Sequence, residues 1–430
     1  ITSCAVTVDF LRDAGVDTQY MCIKQLDSNT VSDVKEFRDR TLVFTDMGSG
    51  QYSLLEEHGF RDYFVIDHHP PEKEYRLQVN PHSFGFDGGS DVSGAGMAYF
   101  VAREAGHDGM AHLAVVGAVG DMQDSKGRLS SLNRVQVEDG VRQGSVLVEN
   151  DLRFFGRQSR SLSQMLAYNS DPFIPGVSGS QQAASEFIEA AGVELRDSDG
   201  GYRSYVDLDC GERQKLTSAI YIKLLESNIP EYIIQGMFGE VYTLCREEYK
   251  SELRDAKEYA TVLNACGRQE ESMLGVKVCL GDRGASWRKA QSMLEKHRRS
   301  LRDGLEFLAE TGVSERKNLY YFDASDVIKE SIVGVIAGMA YGARIVRPDK
   351  PVLAFATDRD DEALLKVSGR ANWRLIRRGV HLGEALRATS KKFGGEGGGH
   401  DIAAGARFPK DRLDEFLKEM DKALARQMSD

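Results

Sequence analysis

No Cys-x-x-Cys spacing occurs anywhere in the 430 residues of this chain. Its six cysteines, Cys4, Cys22, Cys210, Cys245, Cys266 and Cys279, are scattered. That argues against a zinc ribbon and a disulfide framework and fits a reducing, cytoplasmic setting. Long hydrophobic runs are also missing. The longest, near residues 113–120 and 332–343, are glycine-rich and too short to cross a bilayer, so no membrane role is expected. There is no internal repeat and no low-complexity tract. Positive charge is scarce overall: the formal net charge is −11, which at first sight speaks against nucleic acid. The deficit is uneven, however. Residues 1–140 carry 12 Lys/Arg against 22 Asp/Glu, whereas residues 281–410 carry 24 against 17. An acidic half suited to collecting cations thus accompanies a basic half suited to a polyanion. Two ordinarily solvated surfaces of unlike charge would give the same totals.

What is present is more specific. Tyr63-Phe64-Val65-Ile66 is an apolar, β-favouring run that ends in Asp67-His68-His69 and is stopped by Pro70. A second such run, 41–45, ends in Asp46 and then Met47-Gly48-Ser49-Gly50. A third apolar stretch, 113–120, ends in Asp121, with Asp124 close behind. Chemistry in open α/β sheets gathers at the carboxyl ends of strands. One Asp at such an end is more often a turn or cap. Three ends within about 80 residues, each carrying oxygen or imidazole donors, point to a divalent-metal site for phosphate chemistry.

At 41% hydrophobic residues and this length, two or three domains are expected. Short strands (18–23, 41–45, 63–66, 77–80) alternate with helices (1–14, 31–38, 52–58, 94–105, 110–120), which predicts a parallel sheet covered on both faces over residues 1–160. Residues 161–240 read as a mainly helical insertion or spacer. Residues 241–270 read as a connector, with a long mixed-charge helix over 246–266. Residues 271–430 read as a second α/β domain. Its expected strands are 276–280, 319–322, 345–346, 352–355 and 364–367. Its expected helices are 287–310, 332–341, 382–389 and 413–426.

These residues resemble the DHH phosphoesterase superfamily. Asp67-His68-His69 is similar to its signature triplet, Asp46 to its second motif and Asp121 to its fourth. Ser368-Gly369-Arg370 and Gly397-Gly398-Gly399-His400 resemble the substrate-binding motifs of the associated DHHA1 domain. The order is right over nearly the whole chain, and the nearest flavour is that of archaeal RecJ-like nucleases of the GINS-associated type. One motif is missing. The family's first, an Asp-x-Asp pair at the tip of the first strand, has no counterpart here. The sequence opens at Ile1 in what reads as the following helix, so that strand is expected upstream. A chain without that pair is expected to bind metal poorly and to be inactive.

The resemblance implies two manganese or magnesium ions, with Asp46 bridging them and His68 and Asp121 on one. It implies that Asp67 orients an imidazole, that His69 serves the phosphate side, and that Arg370 and His400 face the metal cleft. His82 is a further candidate for lining that cleft, with a turn-capping histidine as the plain alternative. Mixed carboxylate and imidazole donors suit manganese better than magnesium. Glycines can bring backbone N–H groups close to phosphate as an anion nest. Cations from Arg283 to Arg302 offer a strand-tracking surface, where Trp287 either stacks on a base or packs. The expected activity is exonucleolytic cleavage of single-stranded DNA, 5′ to 3′ by resemblance, with RNA also open and with roles in DNA repair and replication. The alternatives are a phosphodiesterase or phosphatase for short oligonucleotides, and a catalytically silent replisome scaffold that binds GINS.

Overall fold

The computed structural model describes residues 1–27, 30–169, 171–325, 327–359 and 361–428. The chain divides into two units, Ile1–Leu294 and Glu295–Asp430.

In the first unit, β1 (Leu42–Thr45), β2 (Tyr63–Ile66) and β3 (Gln78–Val79) form a parallel sheet in that order. Leu42 pairs with Tyr63 and Val65 with Gln78. Aromatic and β-branched residues suit this pleated surface. Tyr52, Leu55, Phe60 and Tyr63 belong to one small core. A larger core gathers the helices Thr2–Asp13, Gly94–Glu104, Ala111–Gly120 and Ala256–Arg268. Ala111–Gly120 is apolar nearly all round, as a helix at the centre of such a core must be.

Two longer strands, β4 (Val146–Leu152) and β5 (Phe238–Leu244), then pair antiparallel, with Leu152 opposite Phe238. The chain therefore leaves and returns at one rung. Between them lies a helical module with its own core, which includes Leu162, Met165, Ile188, Leu216, Ile220 and Ile234.

The second unit is built on a six-stranded sheet. Its strands are β6 (Ser314–Glu315), β7 (Tyr320–Asp323), β8 (Val352–Thr357), β9 (Leu364–Arg370), β10 (Glu396–Gly399) and β11 (Ala403–Pro409), in spatial order β10-β11-β9-β8-β7-β6. Only β7 and β8 run parallel, joined through the helix Glu330–Gly342. Strand β8 sends Leu353 and Phe355 into one core and Val352, Ala354 and Ala356 into the other.

Several expected elements differ. Residues 276–280 are not a strand but the end of the helix Ser272–Cys279 and its C-cap Leu280, because a short apolar run carries no period that separates strand from buried helix. Residues 18–23 form no strand, and residues 345–346 lie in a bend beyond the helix Glu330–Gly342. The expected helix over 246–266 starts only at Ala256, where the Asp255 side chain accepts from the N–H groups of Lys257 and Glu258. Despite its mixed charge, this helix contributes Tyr259, Val262 and Leu263 to the core. The long helix of the chain is Ala285–Thr311.

Candidate metal centre

The site's geometry starts with backbone strain. Strand β1 hands its ladder on to Asp46, whose N–H donates to the Ile66 carbonyl at 2.8 Å. Asp46 then takes φ = +64°, a left-handed conformation uncommon for non-glycine residues. A Cβ on Gly94 would fall 2.2 Å from Asp46 Oδ1, so the carboxylate lies directly against a glycine.

Strand β2 ends in Asp67, which is fully buried. Its Oδ2 accepts from the Ser49 N–H at 3.0 Å and its Oδ1 from the His68 N–H at 2.8 Å. The same Oδ1 lies 2.8 Å from His69 Nδ1. Burial would push this carboxyl up, but the His69 bond and charge and the backbone donors outweigh it and hold Asp67 below the usual range. His69 is raised in return, first by its bond to Asp67. With Nδ1 anchored and 52% of the side chain open, its other nitrogen is available outward.

His68 is held from the opposite side. Its Nδ1 lies 2.7 Å from the Gly88 carbonyl and 3.1 Å from that of Val92. Both partners accept, so Nδ1 donates. Nε2 then faces Asp46 Oδ1 at 3.2 Å and Asp121 Oδ2 at 4.0 Å. Burial would lower His68, but the hydrogen bond to Asp46 and the charges of Asp46 and Asp121 raise it to about 9. Desolvation and then the Asp46 charge push the Asp121 carboxyl up to about 6, although 44% of its side chain is open. Carboxylates raised in this way are short of positive charge.

Donor atoms of Asp46, Asp67, His68 and His69 lie within 4.8 Å of one another, with Asp121 just outside that group beside His68. Asp121 reaches it from the C-terminal end of the helix Ala111–Gly120, as the helix expected over 110–120 implies, and not from a sheet tip. Asp124 is drawn away into an ion pair with Arg153. His82 sits in the 3-10 turn Pro81–Phe84, where its N–H donates to Asn80 Oδ1 at 3.0 Å. Its Nε2 is buried with no hydrogen-bond partner among the described residues.

Sequence reasoning missed Gln123 and Asn133. Gln123 Nε2 donates to the Gly88 and Val92 carbonyls at 2.9 and 3.2 Å, the same pair that accepts from His68. Asn133 Nδ2 donates in turn to Gln123 Oε1 at 2.6 Å. Two carbonyls shared by an imidazole and an amide fix which nitrogen His68 turns toward the carboxylates. The only signal in the sequence is that Gln123 follows Asp121 by two positions.

In the second unit, Ser368, Gly369 and Arg370 end β9. The expected glycine loop is instead a strand: Gly397, Gly398 and Gly399 form β10 and pair with Ala406, Gly405 and Ala404. Sheet pairing, not a nest, organises these glycines. His400 follows at once, exposed, and its N–H donates to the Ala403 carbonyl at 3.0 Å. Ala403 also pairs with Arg370, so Arg370 and His400 share one end of the sheet. Arg370 Nη1 donates to the Gly369 carbonyl at 2.8 Å. A Cβ on Gly334 would lie 2.7 Å from its Nη2. Of the expected basic surface, Arg283 bonds Glu247, and Lys289 pairs with Glu271 at 2.7 Å. Trp287 packs against the first unit's core.

The DHH-CID domain model matches residues 154–238, and the DHHA1 domain model matches residues 320–426. An uncharacterized protein of Methanocaldococcus jannaschii, MJ0831, is 32% identical over 392 residues, covering 90% of this chain and 81% of its own length. The chain belongs to the DHH/DHHA1 superfamily. Solved structures share the fold of this DHH/DHHA1 protein. CDC45 from Entamoeba histolytica aligns with a TM-score of 0.63 at 13% identity, over 99% of this chain and 93% of that one. RecJ from Thermus thermophilus, in complex with Mn2+, gives 0.57 at 18%, over 99% of this chain and 50% of that one. An exonuclease RecJ bound to manganese gives 0.55 at 17%, over 99% and 87%. The DHH-CID match falls on the helical module between β4 and β5. Among the described residues no helix is long and apolar enough to cross a membrane.

Proposed function

We propose that this DHH/DHHA1 protein is a divalent-cation-dependent exonuclease that cuts single-stranded nucleic acid to mononucleotides, 5′ to 3′ on DNA and also on RNA. The observation that carries the reading is the direction in which His68 is held: Nδ1 is tied to two carbonyls, and Nε2 faces the carboxylates of Asp46 and Asp121. Hard oxygen donors with one imidazole fit manganese, with magnesium second. Asp46, His68 and Asp121 would hold the ion. When bound, it supplies Lewis-acid charge on a phosphoryl oxygen and makes an attacking water more acidic.

The chain's own residues do the rest. Asp67 fixes the His69 ring so that its outer nitrogen can donate to a phosphate oxygen. The Arg370 guanidinium can fork onto the backbone of the bound strand, and His400 stands at the same end of its sheet. The likeness to RecJ structures with Mn2+ supports the metal. The test is digestion of oligonucleotides labelled at either end, with and without Mn2+. Stepwise loss of 5′ nucleotides that requires Mn2+ is expected. Cleavage confined to dinucleotides would overturn the reading in favour of a small-nucleotide phosphodiesterase.

A docking role beside catalysis has its own support. The helical module exposes Ile222 (55%), Leu225 (45%) and Tyr232 (61%). Apolar side chains exposed in numbers on one module favour a protein partner, and the notion of a GINS-type complex rests there. Size-exclusion chromatography with such a complex tests it, and separate elution would rule it out.

A further inference from the structure

Within the helical module and the turn that follows β5 lies an open cleft of about 550 Å³. Five serines, four glutamines, Tyr202 and Lys250 line it, with no carboxylate and no aliphatic side chain among the described lining residues. Its volume is that of a small-molecule site, but such sites are mostly apolar. A lining of hydroxyls and amides calls for an occupant dense in both donors and acceptors.

Charge narrows the class. Lys250 is the only cation among these lining residues, and it is held by Asp207 at 2.7 Å. Tyr249 binds the same carboxylate at 2.9 Å, which fixes the turn. The lining thus offers no uncommitted positive charge to hold a chain of phosphates, so the occupant is neutral or carries little charge. One wall asks for a donor. Gln158 is 3% exposed and its N–H is taken by Glu258 at 2.9 Å, while its side-chain Oε1 is buried without a hydrogen-bond partner among the described residues. A buried carbonyl oxygen left unpaired is destabilising, so this lining residue gains from any donor that reaches it. At the rim, Tyr202 is 60% exposed, with the Arg196 guanidinium 4.0 Å from its ring centroid. The arginine steadies the ring and leaves aromatic surface for a planar guest.

Planarity with donors and acceptors along an edge describes a nucleobase. Glutamine amides pair with base edges, and tyrosine stacks on base faces. We propose that this cleft binds an unpaired nucleobase, at a site separate from the metal centre. The inference rests on the nucleic-acid reading for its biological sense, though not for its chemistry. The base comes either from a free nucleoside monophosphate or from a strand.

The experiment titrates the full chain with AMP, CMP, GMP and UMP by saturation-transfer NMR and calorimetry, with ribose 5-phosphate as the baseless control. In parallel, an oligonucleotide carrying one 5-iodouridine is photo-crosslinked and the attached peptide mapped. Tyr202→Ala, at an exposed position, and Gln158→Leu, which removes the unpaired oxygen, are compared with the parent. At least one nucleotide is expected to bind, about tenfold more weakly in either variant, while ribose 5-phosphate does not bind. A crosslink on the peptide bearing Tyr202 assigns the source to a strand, and nucleotide binding without a crosslink assigns it to the free monomer. The proposal falls if neither nucleotide nor crosslink is detected, if ribose 5-phosphate binds equally, or if both variants bind like the parent. His68→Ala separates the two readings: it should abolish strand cleavage and leave nucleotide binding in this cleft unchanged. A parent that binds nucleotides here but cuts no strand would sink the exonuclease and spare the cleft.

Discussion

The two motif-bearing regions of this protein are built on opposite principles. Around Asp46 and His68, charged side chains converge and the backbone is strained to let them: Asp46 sits at positive φ, a glycine lies against its carboxylate, and the titration of both histidines is shifted. Around Gly397 the backbone is a regular antiparallel ladder, and its glycines answer to packing. A Cβ on Gly397 would fall 2.7 Å from Ser390 Oγ and 2.8 Å from Ala406 Cβ. The lesson is that a glycine run and a cluster of acids are unequal as evidence. Neighbours account for Gly397 and Gly399 in the first, whereas nothing but a cation or a proton accounts for the second.

That contrast can be broken in order of expected effect. Asp46→Ala or His68→Ala should lower strand hydrolysis by roughly a thousandfold or more, with single-strand affinity measured by fluorescence anisotropy nearly unchanged. Activity near that of the parent would mean that the acidic cluster is only structural. Gln123→Ala should weaken Mn2+ binding about 10- to 100-fold in calorimetry, as expected when a residue that orients a ligand is lost. Unchanged affinity would detach Gln123 from the metal. Arg370→Ala should weaken strand binding about tenfold and reduce its salt dependence by about one counterion. A loss independent of salt would argue for packing against the helix Glu330–Gly342 instead. Gly397→Ala should destabilise the second unit by about 1–3 kcal/mol, seen as a lower thermal midpoint, while hydrolysis per folded molecule stays the same.

The smallest effect concerns Glu258, on the helix Ala256–Arg268. Burial and then the Asp255 charge raise its carboxyl to about 7. A folded value above the unfolded one means that protonation favours the native state. Its contribution is complete below pH 4.5 and disappears as the pH rises to about 7. Glu258→Gln should flatten that part of the stability curve. Parallel melting curves for both proteins between pH 4.5 and 8 would show the group to be ordinary.

Much of the metal cluster was legible because its donors follow short β-favouring runs, and a strand that ends abruptly in Asp or His exposes them. Tyr63–Ile66 with Asp67 and His68 is such a case. Asp121 was found through the same apolar-then-acidic pattern, at the end of an element that was read as the helix it is. Ser272–Cys279 was misread, because a continuous apolar run lacks the period that separates strand from buried helix. Gln123 and Asn133 were invisible, because their role depends on the carbonyls of Gly88 and Val92, 35 and 31 positions before Gln123, which no local pattern encodes. The glycines of β10 were seen but read as a loop: glycine next to glycine reads as freedom, whereas here they form a strand in which close neighbours leave no room for a side chain at Gly397 and Gly399.

The facing of Leu152 and Phe238 has an engineering consequence. Antiparallel neighbours can be joined by a two-residue turn. The whole helical module could therefore be excised and the gap closed by an Asn-Gly hairpin without stretching either flank, leaving a shortened body in which docking and cleavage can be assayed apart.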